Sequence, residues 1–140
     1  FDHLVPLAPE TVAVLRTAKQ LTGRGPIVFP SNRSARVPMS ENTLSYFYNR
    51  CGYQGRHVPH GWRASFSTIM NEWAERNGTA SDRLVIDLML AHIPEGVSGS
   101  EGAYNRAAFP ERRREISEVW AKMLFEGLSE PSRLLGLPAR

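Results

Sequence analysis

A mainly α-helical fold with short β segments near its N-terminus is what these 140 residues predict. Three observations carry that expectation. Apolar residues recur at helical spacing in several separate stretches, two brief apolar segments near the start sit beside prolines, and neither an internal repeat nor a low-complexity tract breaks the pattern. With 41% hydrophobic residues, the chain is long enough to bury one core and too short for two independent ones.

Taken in order, residues 1–7, with His3-Leu4-Val5-Pro6-Leu7, read as a short strand that Pro6 confines to an edge or a strand end. Val12, Leu15, Ala18 and Leu21 then recur at helical spacing. Pro9 is acceptable in a first turn and Gly23 ends the run, so the spacing predicts a helix over 9–21. Residues 27–29 form a brief apolar segment, and the turn formers from Pro30 to Pro38 predict an exposed loop bearing Arg33 and Arg36. Ser40 fits an N-cap and Glu41 suits the dipole of a helix with Leu44, Phe47 and Tyr48 on one side, stopped by Cys51-Gly52. Tyr46, Tyr48 and Tyr53 read as packing residues.

A further helix over 64–76, closed by Asn77-Gly78, presents Phe66, Ile69, Met70 and Trp73 as its apolar face. Residues 82–91 are apolar nearly all round, which predicts a helix buried on most sides, with Ser81 as its cap and His92 at its end. Residues 94–102 are rich in Gly and Ser and read as a mobile loop. Pro110 opens a last amphipathic helix with Ile116, Val119, Trp120, Met123 and Leu124 on its apolar side and Arg112, Arg113 and Arg114 on the other. Beyond Gly127 the chain reads as a tail with a weak apolar patch at Leu134, Leu135 and Leu137.

Composition narrows the class of function only a little. No apolar run approaches bilayer length and no basic-then-apolar leader opens the chain, so a cytoplasmic protein without membrane contact is expected. The net charge is a modest +3, but of the 17 Lys and Arg residues only Lys19 and Lys122 are lysines. Arginine's planar fork suits a two-pronged grip on phosphate. Cys51 is the sole cysteine, which excludes an internal disulfide, and Cys51, His57, His60 and His92 lack the paired spacing of a zinc site, so no metal is expected.

The chemistry-bearing residues fall in a definite order: His60-Gly61-Trp62-Arg63, then Leu90-Ala91-His92 at a helix end, then a loop, then Ala103-Tyr104-Asn105-Arg106 before an arginine-rich helix. Singly, each has an ordinary explanation. His60 and Arg63 suit a surface pair, His92 a histidine at a helix terminus, and Tyr104 an amphipathic packing residue. As an ordered set they resemble the tyrosine recombinases, a family in which a His-x-x-Arg motif, a Leu-Gly-His or Leu-Ala-His motif and a nucleophilic tyrosine occur in this order. His-Leu-Val-Pro-Leu near the start, Val28-Phe29-Pro30-Ser31, the stretch from Pro38 to Thr43 and Glu111-Arg112-Arg113-Arg114 resemble the phage-type integrase branch, so the resemblance covers nearly the whole chain.

The resemblance implies that residues 1–140 are the C-terminal, helical part of an integrase catalytic domain, with DNA-binding domains and a segment bearing another arginine and a lysine lying upstream. It implies Tyr104 as the nucleophile that forms a 3′-phosphotyrosyl DNA intermediate, with Arg63, His60 and His92 around the phosphate and no cofactor. Arg33, Arg36, Arg106 and Arg112 are candidate contacts to double-stranded DNA, although arginines beside glutamates are also commonly a solvated helix face. Other recombinase protomers are the second expected partner, met in cis or in trans by the apolar side of the last helix. Since the family's other two cations have no counterpart here, the segment alone is expected to be inactive. A non-catalytic remnant that binds DNA or other protomers is the alternative.

Overall fold

The computed structural model describes residues 3–92 and 109–136. The chain divides into two compact units, one made of Phe1–Ala8 and Trp62–Leu124, the other of Pro9–Gly61 and Phe125–Arg140. Among the described residues the chain is mainly helical, and the β structure is one short two-stranded sheet.

Among its described residues the first unit holds three helices: α3 (Gly61–Asn77), α4 (Asp82–Met89) and α5 (Pro110–Phe125). Their apolar stripes meet in one core. Phe66 and Met70 come from α3, Val85 and Ile86 from α4, Leu90 from the end of α4, and Ile116 from α5, with Trp73, Met89, Val119 and Trp120 packed against them. Phe66 and Trp120 meet edge to face, with ring centroids 5.5 Å apart and planes at 82°. Met70, Val85, Ile86 and Ile116 are fully buried, and each such side chain contributes about 1.5–3 kcal/mol by leaving water.

The structure corrects two sequence expectations in this unit. Ile69, assigned to the buried face of α3, is 41% exposed, because the core lies along the Phe66–Met70 line. Arg113, assigned to the solvent face of α5, is only 2% exposed. Its place three residues before Ile116 and seven before Trp120 puts it on the core stripe whatever its charge. Its Nε and Nη2 have no hydrogen-bond partner, and burial lowers its pKa from the ordinary guanidinium value. In addition Ser81, which stands at the cap of α4, makes no side-chain capping bond.

The second unit begins with α1 (Pro9–Thr22), close to the predicted 9–21. The Thr22 hydroxyl bonds the carbonyl oxygens of Ala18, at 3.0 Å, and Val28, at 2.8 Å, tying the end of α1 to the segment after it. Strands β1 (Pro30–Ser31) and β2 (Ser34–Pro38) form an antiparallel hairpin pairing Pro30 with Pro38 and Ser31 with Ser34. Residues 30–38 are thus a hairpin rather than the expected loop: Asn32-Arg33 turn the chain, with the Arg33 N–H donated to Ser31 Oγ at 3.2 Å. The strand expected over residues 1–7 does not form among the described residues 3–7, where Leu4, Val5 and Leu7 are exposed and Pro6 lacks a donor for a ladder.

Helix α2 (Thr43–Tyr48) continues into a wide turn over Asn49–Tyr53. Asn42, not Ser40, occupies the cap position, while the Ser40 carbonyl accepts the Thr43 N–H at 2.9 Å. The winding passes Cys51 because Gly52 takes φ 85°, a left-handed conformation that glycine adopts without penalty. Tyr48 is half-buried and lies 5.4 Å from the His57 ring, but Tyr46 and Tyr53 are exposed, which corrects their reading as packing residues. After Gly127 the tail folds as a 3₁₀ turn over Pro131–Gly136 that packs on α1. Among the described residues of this unit, 9–61 and 125–136, none is buried.

Candidate active site

His60 sits at the end of the second unit, in the turn that delivers the chain into α3. Gly61 donates its N–H to the Val58 carbonyl at 2.8 Å, and a Cβ at Gly61 would lie 3.0 Å from the His57 ring. A side chain in place of the glycine of His60-Gly61-Trp62-Arg63 therefore meets the His57 ring closely enough that the ring must shift by a few tenths of an ångström. The His60 side chain itself is exposed.

Arg63 lies in the first turn of α3 and reaches across the first unit. Its Nη2 donates to the carbonyl oxygen of Leu90, 27 residues on. That carbonyl ends α4, where the helix dipole concentrates partial negative charge, so a guanidinium there satisfies both the hydrogen bond and the field. The His-x-x-Arg and Leu-Ala-His motifs meet at this bond.

Past Leu90 the chain leaves α4 through a Schellman-type helix end. The Ala91 N–H bonds the Leu88 carbonyl and the His92 N–H bonds the Asp87 carbonyl, both at 3.0 Å, the 5→2 and 6→1 pattern of that motif. Ala91 takes the left-handed position with φ 55°, where glycine is the usual occupant. His92 emerges from it exposed, with Nδ1 3.5 Å from Asp87 Oδ1. Asp87 therefore addresses His92 twice, its carbonyl accepting the His92 backbone N–H and its carboxylate lying beside Nδ1.

The other end of α4 carries a contact that sequence reasoning missed. Asp82 is fully buried, and Arg112 grips it with two donors, Nε to Oδ1 at 2.7 Å and Nη2 to Oδ2 at 2.6 Å, while Thr79 N–H donates to Oδ2 at 2.7 Å. Arg112 also gives Nη1 to Glu115 at 2.5 Å and lies 5.8 Å from the Trp73 ring centre. The Arg112 hydrogen bonds, helped by Thr79 and opposed by burial, hold the Asp82 carboxyl at about 2, below its ordinary 3.8. The same contacts raise Arg112 above the ordinary guanidinium value. No local pattern marks the two residues as partners, because they are 30 apart. All three Arg112 nitrogens serve carboxylates, and its side chain is partly exposed.

Arg33 and Arg36 are exposed on the hairpin of the second unit. Tyr104 and Arg106 lie outside the described residues. Among the described residues no three His, Cys, Asp or Glu side chains gather as a metal site, and no helix is long and apolar enough to cross a membrane.

No family profile and no solved structure matches the chain significantly. Curated relatives do. The chain is 35% identical over 123 residues to prophage integrase IntA of Escherichia coli, a match covering 88% of this chain and 28% of that protein. It is 34% identical over 125 residues to prophage integrase IntS of the same organism, and 33% identical over 125 residues to the integrase of Shigella phage Sf6, each match covering 89% of this chain and 30% of the relative. A mainly helical protein whose two motif segments converge on one helix end thus has integrases as its relatives. The chain is similar to phage-type integrases over most of its own length, and spans less than a third of the length of the relatives it matches.

Proposed function

We propose that this chain supplies part of the catalytic site of a tyrosine-type site-specific recombinase acting in DNA integration. The observation that supports the reading is the bond from Arg63 to the Leu90 carbonyl, which joins the arginine of one motif to the helix end that leads to the histidine of the other.

In this reading Tyr104 Oη attacks a backbone phosphorus of double-stranded DNA. A phosphorus–oxygen bond to the tyrosine forms, the bond from phosphorus to the 5′ oxygen breaks, the tyrosine proton passes to an acceptor, and the departing 5′ oxygen leaves protonated. The 3′-phosphotyrosyl ester conserves the bond energy, so a 5′ hydroxyl of a second strand reverses the step without a nucleotide. A free tyrosine has a pKa near roughly 10, so the attack depends on cations that favour the phenolate as it develops. Arg63 supplies a permanent charge whose fork matches two non-bridging oxygens, His92 presents Nε2 as a proton donor, and His60 adds a second imidazole. Arg33, Arg36 and Arg106 contribute phosphate contacts, while Arg112 serves the scaffold.

The 140 residues form the C-terminal part of the catalytic domain, and the intact integrase works with other protomers on paired sites. The family's additional arginine and lysine have no counterpart among these residues, so the segment alone neither cleaves nor rejoins DNA. In the intact integrase, Tyr104→Phe abolishes covalent attachment to a nicked suicide substrate while leaving DNA binding in place. Attachment that survives the substitution moves the nucleophile elsewhere, and attachment by the isolated segment refutes its inactivity. Intact DNA binding without any attachment in the unsubstituted protein would favour a non-catalytic remnant.

A further inference from the structure

The second unit carries large apolar side chains that no described residue covers. Leu44 and Phe47 stand one turn apart on α2 and so share a side of that helix. Phe29 lies just before β1 and Val37 on β2, and each of the four is about half exposed. We propose that these apolar side chains of α2 and the hairpin form a docking face, covered in the full-length protein by integrase chain lying outside the 140 residues. The inference rests on reading this segment as part of a longer integrase, and not on the role of Tyr104.

The elements themselves require a cover. A two-stranded hairpin is marginal in water unless a further strand or a helix packs on it, yet every residue from Ser34 to Pro38 is exposed. Pro30 and Pro38, which pair at its open end, bring no N–H to the ladder. Helix α2 has six residues, far below the length at which a helix holds on its own, and none of them is buried. Its cap residue Asn42 makes no side-chain capping bond either. Local structure therefore does not account for the persistence of α2 or the hairpin, and packing against a further apolar surface does.

The occupant follows from the same facts. A cover on which local folding depends has to be present in the free protein, which a partner that comes and goes does not provide. DNA does not fit, because Leu44, Phe47, Phe29 and Val37 offer a phosphate neither charge nor hydrogen bond. The matched relatives are more than three times as long as the stretch this chain covers, 28% of one and 30% of two others. An integrase of that length holds the counterpart within the same molecule, at a higher effective concentration than a second copy reaches.

The test is hydroxyl-radical labelling, read by mass spectrometry, of the full-length integrase that carries this segment. It is run without DNA, at a concentration where light scattering shows a monomer. Leu44, Phe47 and Val37 are expected to label at least about tenfold more slowly than in the urea-unfolded protein, as the buried Met70 and Ile116 do. An open face would slow Phe47, at 50% exposure, only about twofold. That result overturns the proposal, and protection that appears only with DNA or at higher protein concentration overturns it as well. Should the protein be oligomeric at every concentration, a benzophenone-bearing phenylalanine at position 47 decides. Capture within one chain supports the proposal, and capture between chains refutes it. Labelling is also independent of strand cleavage: attachment that survives Tyr104→Phe removes the nucleophile and leaves the docking face standing, whereas open labelling removes the docking face alone.

Discussion

The guanidinium of Arg63 holds the carbonyl of Leu90, so the arginine of one motif caps the helix that ends in the histidine of the next. Arg63→Ala leaves that carbonyl without its charged donor, and a hydrogen bond to a charged group is worth about 1.5–3 kcal/mol. Chemical denaturation should show a loss of that size. Stability within about 0.5 kcal/mol of the parent, the range of an ordinary surface substitution, would mean that the cap contributes nothing.

Asp82 makes stability depend on acid. Its folded pKa of about 2 lies below the ordinary 3.8, so its contribution is fully present above pH 4 and disappears as the pH falls through about 2. The amount is on the order of 2 kcal/mol. Unfolding free energies measured from pH 5 down to pH 2 should fall more steeply for the parent than for Asp82→Asn, which has no carboxyl to titrate. Identical slopes would contradict the assignment.

Ala91→Gly should stabilise the protein. The left-handed conformation at φ 55° crowds the Ala91 Cβ, a penalty of about 1 kcal/mol that glycine escapes. An upward shift in the denaturation midpoint checks it, and a downward shift would place Ala91 in some other conformation.

Arg113→Met should also raise stability, by about 1–3 kcal/mol, because it replaces a buried guanidinium with two unpartnered nitrogens by an apolar chain of similar length. Ile116→Ala, on the same stripe, should cost about 2–5 kcal/mol, against at most about 0.5 kcal/mol for a surface change. Denaturation curves of the two variants test opposite signs on one helix face.

These cases show what local pattern reveals. Helices α1, α3, α4 and α5 were legible because apolar periodicity survives in any window of a dozen residues. The hairpin was not, since Pro30 and Pro38 in a short polar stretch read as a loop until β1 and β2 are seen to pair. Arg113 was misplaced because its charge was weighed above its phase on the helix. Among the candidate site residues, His60, Arg63 and His92 were identifiable by type and order, but the Arg63–Leu90 bond and the Asp82–Arg112 pair join residues 27 and 30 positions apart, and spacing along a chain does not encode such meetings.

The shortness of α4 has one more consequence. Isolated helices below about 12–15 residues are marginal in water, and this one has eight. It forms only when α3 and α5 have closed around it, and the left-handed turn that presents His92 forms with it. The geometry of the histidine end therefore depends on the packed core: where that core is loosened, the chain keeps His92 without the turn that presents it.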